Sequence, residues 1–263
     1  MKKTEQKLDV TKTCYLFFDY DNTVLVNGSL PEEHVRAMEA VQKLGHQLII
    51  NTGRAERMFT PHKDSQKIPW DGAIYGASDL RYRGEILEQA FISWEDFYPW
   101  LEVCIKNRTE LAYCGSKEVV VWNFKARRSE LTPEEKECVY KEAEAVFAEN
   151  PLMKMTYRAP LKECEFPKTT LRAIALPKYV EIFASGWDKG IALLRFCEKL
   201  DIPLSQCICF GDSENDMDVF RVCPTGICMK ESPKALSELA DYHAKTDFGV
   251  AEGLEYLFGE MRE

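Results

Sequence analysis

Tyr15-Leu16-Phe17-Phe18-Asp19-Tyr20-Asp21-Asn22-Thr23 is the stretch from which the rest of the chain is best read. An apolar run of this length predicts a short buried strand, and it leads directly into two carboxylates one residue apart, then a hydroxyl. Residues 30–44 carry the signs of a helix: Pro31 near the start, Glu32 and Glu33 in the first turn, and Gly45 after the end. Val35, Met38, Val41 and Leu44 recur there at helical spacing. His46-Gln47-Leu48-Ile49-Ile50 predicts a second strand, ending in Asn51-Thr52-Gly53-Arg54. Strand, helix and strand joined this closely form a βαβ unit with parallel neighbouring strands. Both polar loops then emerge at one carboxyl edge, where open α/β sheets bind ligands.

Beyond this unit, residues 56–64 predict another helix, and residues 68–74 a turn and a weak strand. The pattern changes over residues 83–185. Residues 93–107 are helical, with Trp94, Phe97, Leu101 and Ile105 on one face. Residues 111–114 and 119–124 form a hairpin around Gly115. The helix over 131–148 opens with Thr132-Pro133-Glu134-Glu135, a capping box with proline in the first turn. A second hairpin, 171–176 with 179–184, turns at Pro177-Lys178. Helix, two strands, helix, two strands is an α+β module, read as a domain of residues 83–185 inserted into an α/β domain of residues 1–82 and 186–263. The α/β style returns with a helix over 188–200, its apolar side given by Ile191, Leu194 and Cys197. Cys207-Ile208-Cys209-Phe210 is a third buried strand, ending in Gly211-Asp212-Ser213-Glu214-Asn215-Asp216. A short helix over 216–222, a strand over 226–229 and a helix over 232–239 follow.

The 263 residues are 45% hydrophobic and 29% charged, the composition of an ordinary globular protein. A formal net charge of -9 argues against a nucleic-acid binder, whose affinity comes from clustered Lys and Arg. No apolar run approaches the roughly 20 residues of a membrane helix, and residues 1–12 lack a secretory apolar stretch. A cytoplasmic protein is expected. The 10 cysteines are scattered over a long chain without zinc spacing, which predicts buried reduced thiols.

Asp19, Asp21, Asp212 and Asp216 all fall at or just after strand ends, so they meet at one sheet edge. Like charges raise one another's pKa, and a divalent cation relieves the conflict; a partly protein-supplied oxygen set suits Mg²⁺. Lys189 opens a helix, against the sense of the helix dipole, and so calls for an anion nearby. Thr52 offers a hydroxyl and Gly53 a backbone N–H to phosphoryl oxygens. Together the parts suit in-line phosphoryl transfer, with Asp19 as nucleophile and Asp21 moving the proton. Each alone has a structural reading: Asp-x-Asp as a turn or cap, Gly-Asp-x-x-Asn-Asp as helix capping, Lys189 as a solvated cation. Their joint occurrence in order favours the site.

These residues resemble the motifs of the haloacid dehalogenase superfamily of phosphotransferases. Motif one, Asp-x-Asp-x-Thr, is met by Asp19, Asp21 and Thr23; motif two by Thr52 in Thr-Gly-Arg; motif three by Lys189; motif four by Gly211 to Asp216. The insert resembles the type IIB cap of Cof-like phosphatases. The resemblance covers nearly the whole chain. It implies a Rossmann-like core and Mg²⁺ held by Asp19, the backbone carbonyl of Asp21 and Asp212, with Asp216 behind. It also implies Asn215 near the metal or the phosphate. Three positions depart from the pattern: Asn22 where glycine is usual, Asp188 where serine is common, and Lys230-Glu231-Ser232 in place of Gly-Asn-Ala.

The function implied is a Mg²⁺-dependent phosphatase of a small phosphorylated metabolite, a sugar phosphate first, acting through an aspartyl-phosphate on Asp19. A phosphomutase of the phosphomannomutase type and a non-catalytic regulatory binder are the alternatives. The expected partner is a small phosphomonoester, with neither nucleic acid nor membrane. Glu163, Glu165 and Lys168 stand in a polar stretch suited to substrate selection or to a solvated loop. Trp94, Phe97 and Trp100 suit a core or a stacking face. His34, His46, His62 and His243 are dispersed, which argues against a histidine-based mechanism.

Overall fold

The computed structural model describes residues 8–127 and 129–259. The chain divides into two compact units, residues 1–88 with 188–263 and residues 89–187.

The first unit opens with β1 (Tyr15–Phe18), α1 (Glu32–Lys43), β2 (Gln47–Thr52), α2 (Glu56–Phe59) and β3 (Gly72–Tyr75). A hairpin of β4 (Asp79–Tyr82) and β5 (Glu85–Gln89) follows. With β11 (Cys207–Gly211), β12 (Thr225–Cys228) and β13 (Tyr242–His243) from later in the chain, the sheet order is β13-β12-β11-β1-β2-β3-β4-β5, and β1 lies between β11 and β2, parallel to both. The chain builds outward from β1 to one side, leaves for the second unit, and returns to build the other side. β1 is thus the point where strand order reverses, and the crevice at its carboxyl end is where such sheets place ligands.

Both faces of β1 are covered. Leu16 and Phe18 join Leu48, Ile50, Phe210 and Ile227 in a core that takes in Met38 and Val41 of α1. On the opposite face Phe17 meets Phe196 edge-on, with ring centroids 5.6 Å apart. Burying each such side chain contributes about 1.5–3 kcal/mol, which is why an uninterrupted apolar run forms the central strand.

The second unit consists of α3 (Trp94–Asn107), β6 (Glu110–Gly115), β7 (Val119–Asn123), α4 (Pro133–Glu149), β8 (Leu152–Tyr157), β9 (Arg172–Ala175) and β10 (Val180–Phe183). Its sheet runs β7-β6-β8-β10-β9 with antiparallel pairing throughout. The capping box at α4 forms in full: Thr132 Oγ1 accepts from the Glu135 N–H and Glu135 Oε2 from the Thr132 N–H. Phe97, Trp100, Leu101 and Ile105 are buried, Phe147 stacks on Phe97 and Trp94 meets it edge-on, so these aromatics form the core of this unit. After it come α5 (Lys189–Lys199), β11 (Cys207–Gly211), α6 (Met217–Val222), β12 (Thr225–Cys228), α7 (Lys234–Ser237), β13 (Tyr242–His243) and α8 (Gly249–Phe258). Val250 and Leu254 of α8 complete the core on the α1 face.

Several local expectations need correction. The helix expected over 56–64 is the four-residue α2, followed by turns. The helix over 232–239 shortens to α7, and the buried stripe of α5 is Ala192, Leu193, Phe196 and Cys197 rather than Ile191, Leu194 and Cys197. The periodicity missed β8, where buried Lys154 interrupts the apolar pattern, and also the β4–β5 hairpin. That hairpin turns at Arg83 (φ 49) and Gly84 (φ 84), a pair of left-handed residues that fits a tight two-residue loop. Eight of the 10 cysteines are buried; Cys138 and Cys164 are exposed.

Candidate active site

Asp19 is the first residue past β1, and its N–H donates to the Phe210 carbonyl, 2.9 Å, extending the ladder to the strand end. The chain then makes a wide turn closed by the Leu25 N–H on the Tyr20 carbonyl, 2.9 Å. Asn22 sits inside that turn at φ 60, ψ 6. Asparagine tolerates this left-handed conformation better than most side chains, which accounts for its standing where glycine is usual. Asp188 likewise does the work of a capping serine: its carboxylate accepts from the Ile191 N–H, 2.8 Å, and starts α5.

Lys189, opening α5, is buried with its ammonium 2.6 Å from Asp19 Oδ1 and 2.7 Å from Asp216 Oδ1. The anion that its position at the helix start called for is therefore present twice. Burial by itself would lower the lysine pKa; the two carboxylates outweigh it and raise the pKa. Asp216 is fully engaged, since its Oδ2 accepts from the Asp212 and Ser213 N–H groups at 3.0 and 3.2 Å. Gly211 makes room for it: a Cβ there would stand 2.6 Å from Asp216 Cγ. Asp212 accepts from Thr23 Oγ1 at 3.2 Å, which ties the first and fourth motifs together.

Asp19, Asp212 and Asp216 bring carboxylate oxygens within 4.8 Å of one another. Burial first, and Asp216 next, push the Asp212 carboxyl up to about 7, with Lys189 and Thr23 opposing. Burial likewise raises Asp19 well above the carboxylate range against the pull of Lys189, with Asp216 and Asp212 adding to the rise. A cluster in which one ammonium faces three carboxylates is short of positive charge, and a divalent cation fits it. Asp19 and Asp212 have the freer oxygens.

Asp21 lies apart from this cluster. Its two oxygens accept from Arg54 Nε and Nη2 at 2.8 and 2.6 Å, a bidentate pair that also sets the guanidinium carbon 5.4 Å from the centre of the Tyr20 ring. The sequence reading gave Arg54 no role; its place just after Thr52-Gly53 at the same sheet edge was the available signal. Thr52 ends β2, and its Oγ1 accepts from the Arg54 N–H at 3.1 Å, leaving the hydroxyl hydrogen to donate. Asn215 Oδ1 accepts from Ser213 Oγ at 2.9 Å and lies 3.5 Å from Lys189 Nζ.

The four histidines hold structural bonds: His34 to the Val24 carbonyl, His46 to the Cys14 N–H, His62 to the Tyr20 hydroxyl and His243 to the Lys230 carbonyl. Glu163 and Glu165 form a single helical turn in the second unit. Glu163 lines a cleft of about 330 Å³ there with Trp100, Phe166 and Thr169. Among the described residues no helix is long and apolar enough to cross a membrane.

A buried carboxylate at the switch point, paired with a lysine that the chain supplies only after the α+β unit, brings the first and third motifs together. A family model described as haloacid dehalogenase-like hydrolase matches residues 16–254, and the chain belongs to that family. The matched span takes in all four motifs, from Asp19 to Asp216. A Streptococcus pyogenes serotype M6 protein bearing the name phosphatase is 22% identical over 264 residues, 90% of this chain and 95% of that one. A phosphoglycolate phosphatase of Archaeoglobus fulgidus is 39% identical over 72 residues, 27% of this chain and 32% of that one. Among solved structures, the phosphatase BT1666 from Bacteroides thetaiotaomicron superposes with a TM-score of 0.77 at 19% identity, over 95% of this chain and 97% of that one. The subclass IIB sugar phosphatase BT4131 gives 0.74 at 20% identity, over 93% and 99%.

Proposed function

We propose that the protein is a cytoplasmic, Mg²⁺-dependent phosphatase of a small phosphorylated metabolite, a sugar phosphate foremost, which carries the phosphoryl group on Asp19 during turnover. The observation that supports this most is the buried Lys189 ammonium, 2.6 Å from Asp19, beside a carboxylate cluster short of positive charge. Asp19, Asp212 and the Asp21 carbonyl would hold the cation, with Asp216 behind. When bound, it supplies the charge that lets an anionic phosphate approach an anionic nucleophile.

In the first half-reaction an Asp19 oxygen bonds phosphorus as the bond to the leaving oxygen breaks, and Asp21 gives that oxygen a proton. In the second, a water oxygen attacks phosphorus, its proton passes to Asp21, and the Asp19–phosphorus bond breaks to release inorganic phosphate. Arg54 keeps Asp21 oriented between the two steps. Thr52, the Gly53 N–H, Asn215 and Lys189 receive the phosphoryl oxygens. The inserted unit, expected over 83–185 and compact over 89–187, selects the leaving group. A sugar phosphatase among the similar folds supports the order of substrate classes.

A panel of phosphomonoesters incubated with Mg²⁺ tests the reading. Free phosphate from sugar phosphates is expected. An isomeric sugar phosphate instead of free phosphate would identify a phosphomutase, and no turnover of any ester would leave a binding protein.

A further inference from the structure

One polar side chain beside Asp19 has no part in the reaction above. Along β2, Leu48 and Ile50 enter the core shared with α1 and α8. Alternation therefore sends Ile49 and Asn51 to the other face, where Ile49 and Phe196 of α5 crowd Gly72. β1 is in the same phase: Phe18 registers with Ile50, and Phe17 meets Phe196. The extended backbone at Asp19 (φ -66, ψ 158) carries the alternation one residue further. Asn51 is thus the lateral neighbour of Asp19 on the α5 face, one residue before Thr52.

The two flanks of Asp19 use their polar groups differently. On the β11 side, the Asp216 carboxylate lies over Gly211 with both oxygens bonded. On the β2 side, Asn51 is 2% exposed, and neither its Nδ2 nor its Oδ1 has a hydrogen-bond partner. An amide buried in that condition lowers stability, and an apolar side chain of similar size would not. The rest of the β2 stretch ahead of it, Leu48 to Ile50, is apolar and fully buried.

We propose that Asn51 is a positioning residue of the phosphoryl transfer, whose Nδ2–H donates to the Asp19 carboxyl group in the reacting arrangement and holds it in line with phosphorus. This rests on the reading of Asp19 as nucleophile. The amide gains and loses no proton: one Asp19 oxygen bonds phosphorus while the leaving-group bond breaks, and Asn51 fixes the angle of the carboxyl plane. Its contribution is made in the transition state, so its loss lowers kcat and kcat/KM together and leaves KM in place.

The experiment compares wild type, Asn51→Leu and Asn51→Ser with the best phosphomonoester, recording kcat, KM and melting temperature. Asn51→Leu is expected to melt at or above the wild-type temperature while kcat falls about 10–100-fold at constant KM. Asn51→Ser, which keeps a hydrogen-bond donor, is expected to recover part of that loss. Unchanged kcat in Asn51→Leu would overturn the proposal, because the amide would then be idle. A loss of activity in both variants that follows a lowered melting temperature would also overturn it, by assigning Asn51 to packing alone. A wild type that hydrolyses no ester would overturn the Asp19 reading and this inference with it, a result separate from the other two.

Discussion

Two buried lysines, one in each unit, show opposite ways of placing a charge out of water. Lys154 of β8 and Glu181 of β10, 4% and 5% exposed, form an ion pair at 2.7 Å. Lys189 of α5 faces the cluster of Asp19, Asp212 and Asp216, with ion pairs to two of the three. In the inserted unit the buried lysine has a buried partner of opposite sign, so the pair explains itself as architecture. In the core three carboxylates meet one ammonium, and a surplus of negative charge is left at the carboxyl end of the central strand. Stability gives no reason to keep such a surplus; a site that receives a cation does.

The comparison can be broken by removing the lysines. Lys154→Met takes the buried ion-pair partner from Glu181 and is expected to cost about 3–5 kcal/mol in urea unfolding. Lys154→Met with Glu181→Leu is expected to recover most of that loss, because a well-packed apolar pair replaces a buried ion pair at little net cost. Lys189→Met is expected to cost a similar amount, but adding Asp216→Leu should not recover it. That second change leaves Asp19 and Asp212 facing each other and takes the acceptor from the Asp212 and Ser213 N–H groups. Recovery in the core pair to the same extent as in the cap pair would erase the distinction.

A smaller effect sharpens it. Asp212 titrates at about 7 in the folded chain, with burial the main cause, against about 3.9 when unfolded. Between these values the folded state binds the extra proton, so stability falls as pH rises through the window and the loss is complete above about 7. Without divalent cations the protein is expected to melt lower at pH 8 than at pH 6, and Asp212→Asn to flatten that slope. Mg²⁺ should raise the melting temperature more at pH 8, where no proton has to leave the carboxyl. An equal Mg²⁺ effect at both pH values would contradict the picture of a cation relieving the cluster.

The core was legible because its signals are local and repeated. The run from Tyr15 to Phe18 is buried on both faces, so strand, burial and the following loop could be read together, and the same held for Cys207 to Phe210. β8 was opaque for the converse reason: Lys154 looks like a solvent residue until Glu181, 27 positions later, is known to lie against it. Much the same holds within the site. The carboxylates and Lys189 follow from strand ends and a misplaced charge. The Arg54 grip on Asp21 and the unpartnered amide of Asn51 depend on register between β1 and β2, which no residue pattern states.

The central claim is that Asp19 itself carries the phosphoryl group. Wild-type protein turning over a phosphomonoester with Mg²⁺ would be quenched in acid and its peptides mapped for bound phosphate, beside Asp19→Asn treated identically. The account predicts phosphate on the peptide containing Asp19 in the wild type. It predicts none in Asp19→Asn, which should remain folded and release no phosphate. Sustained turnover by Asp19→Asn, or label on a peptide without Asp19, would contradict it.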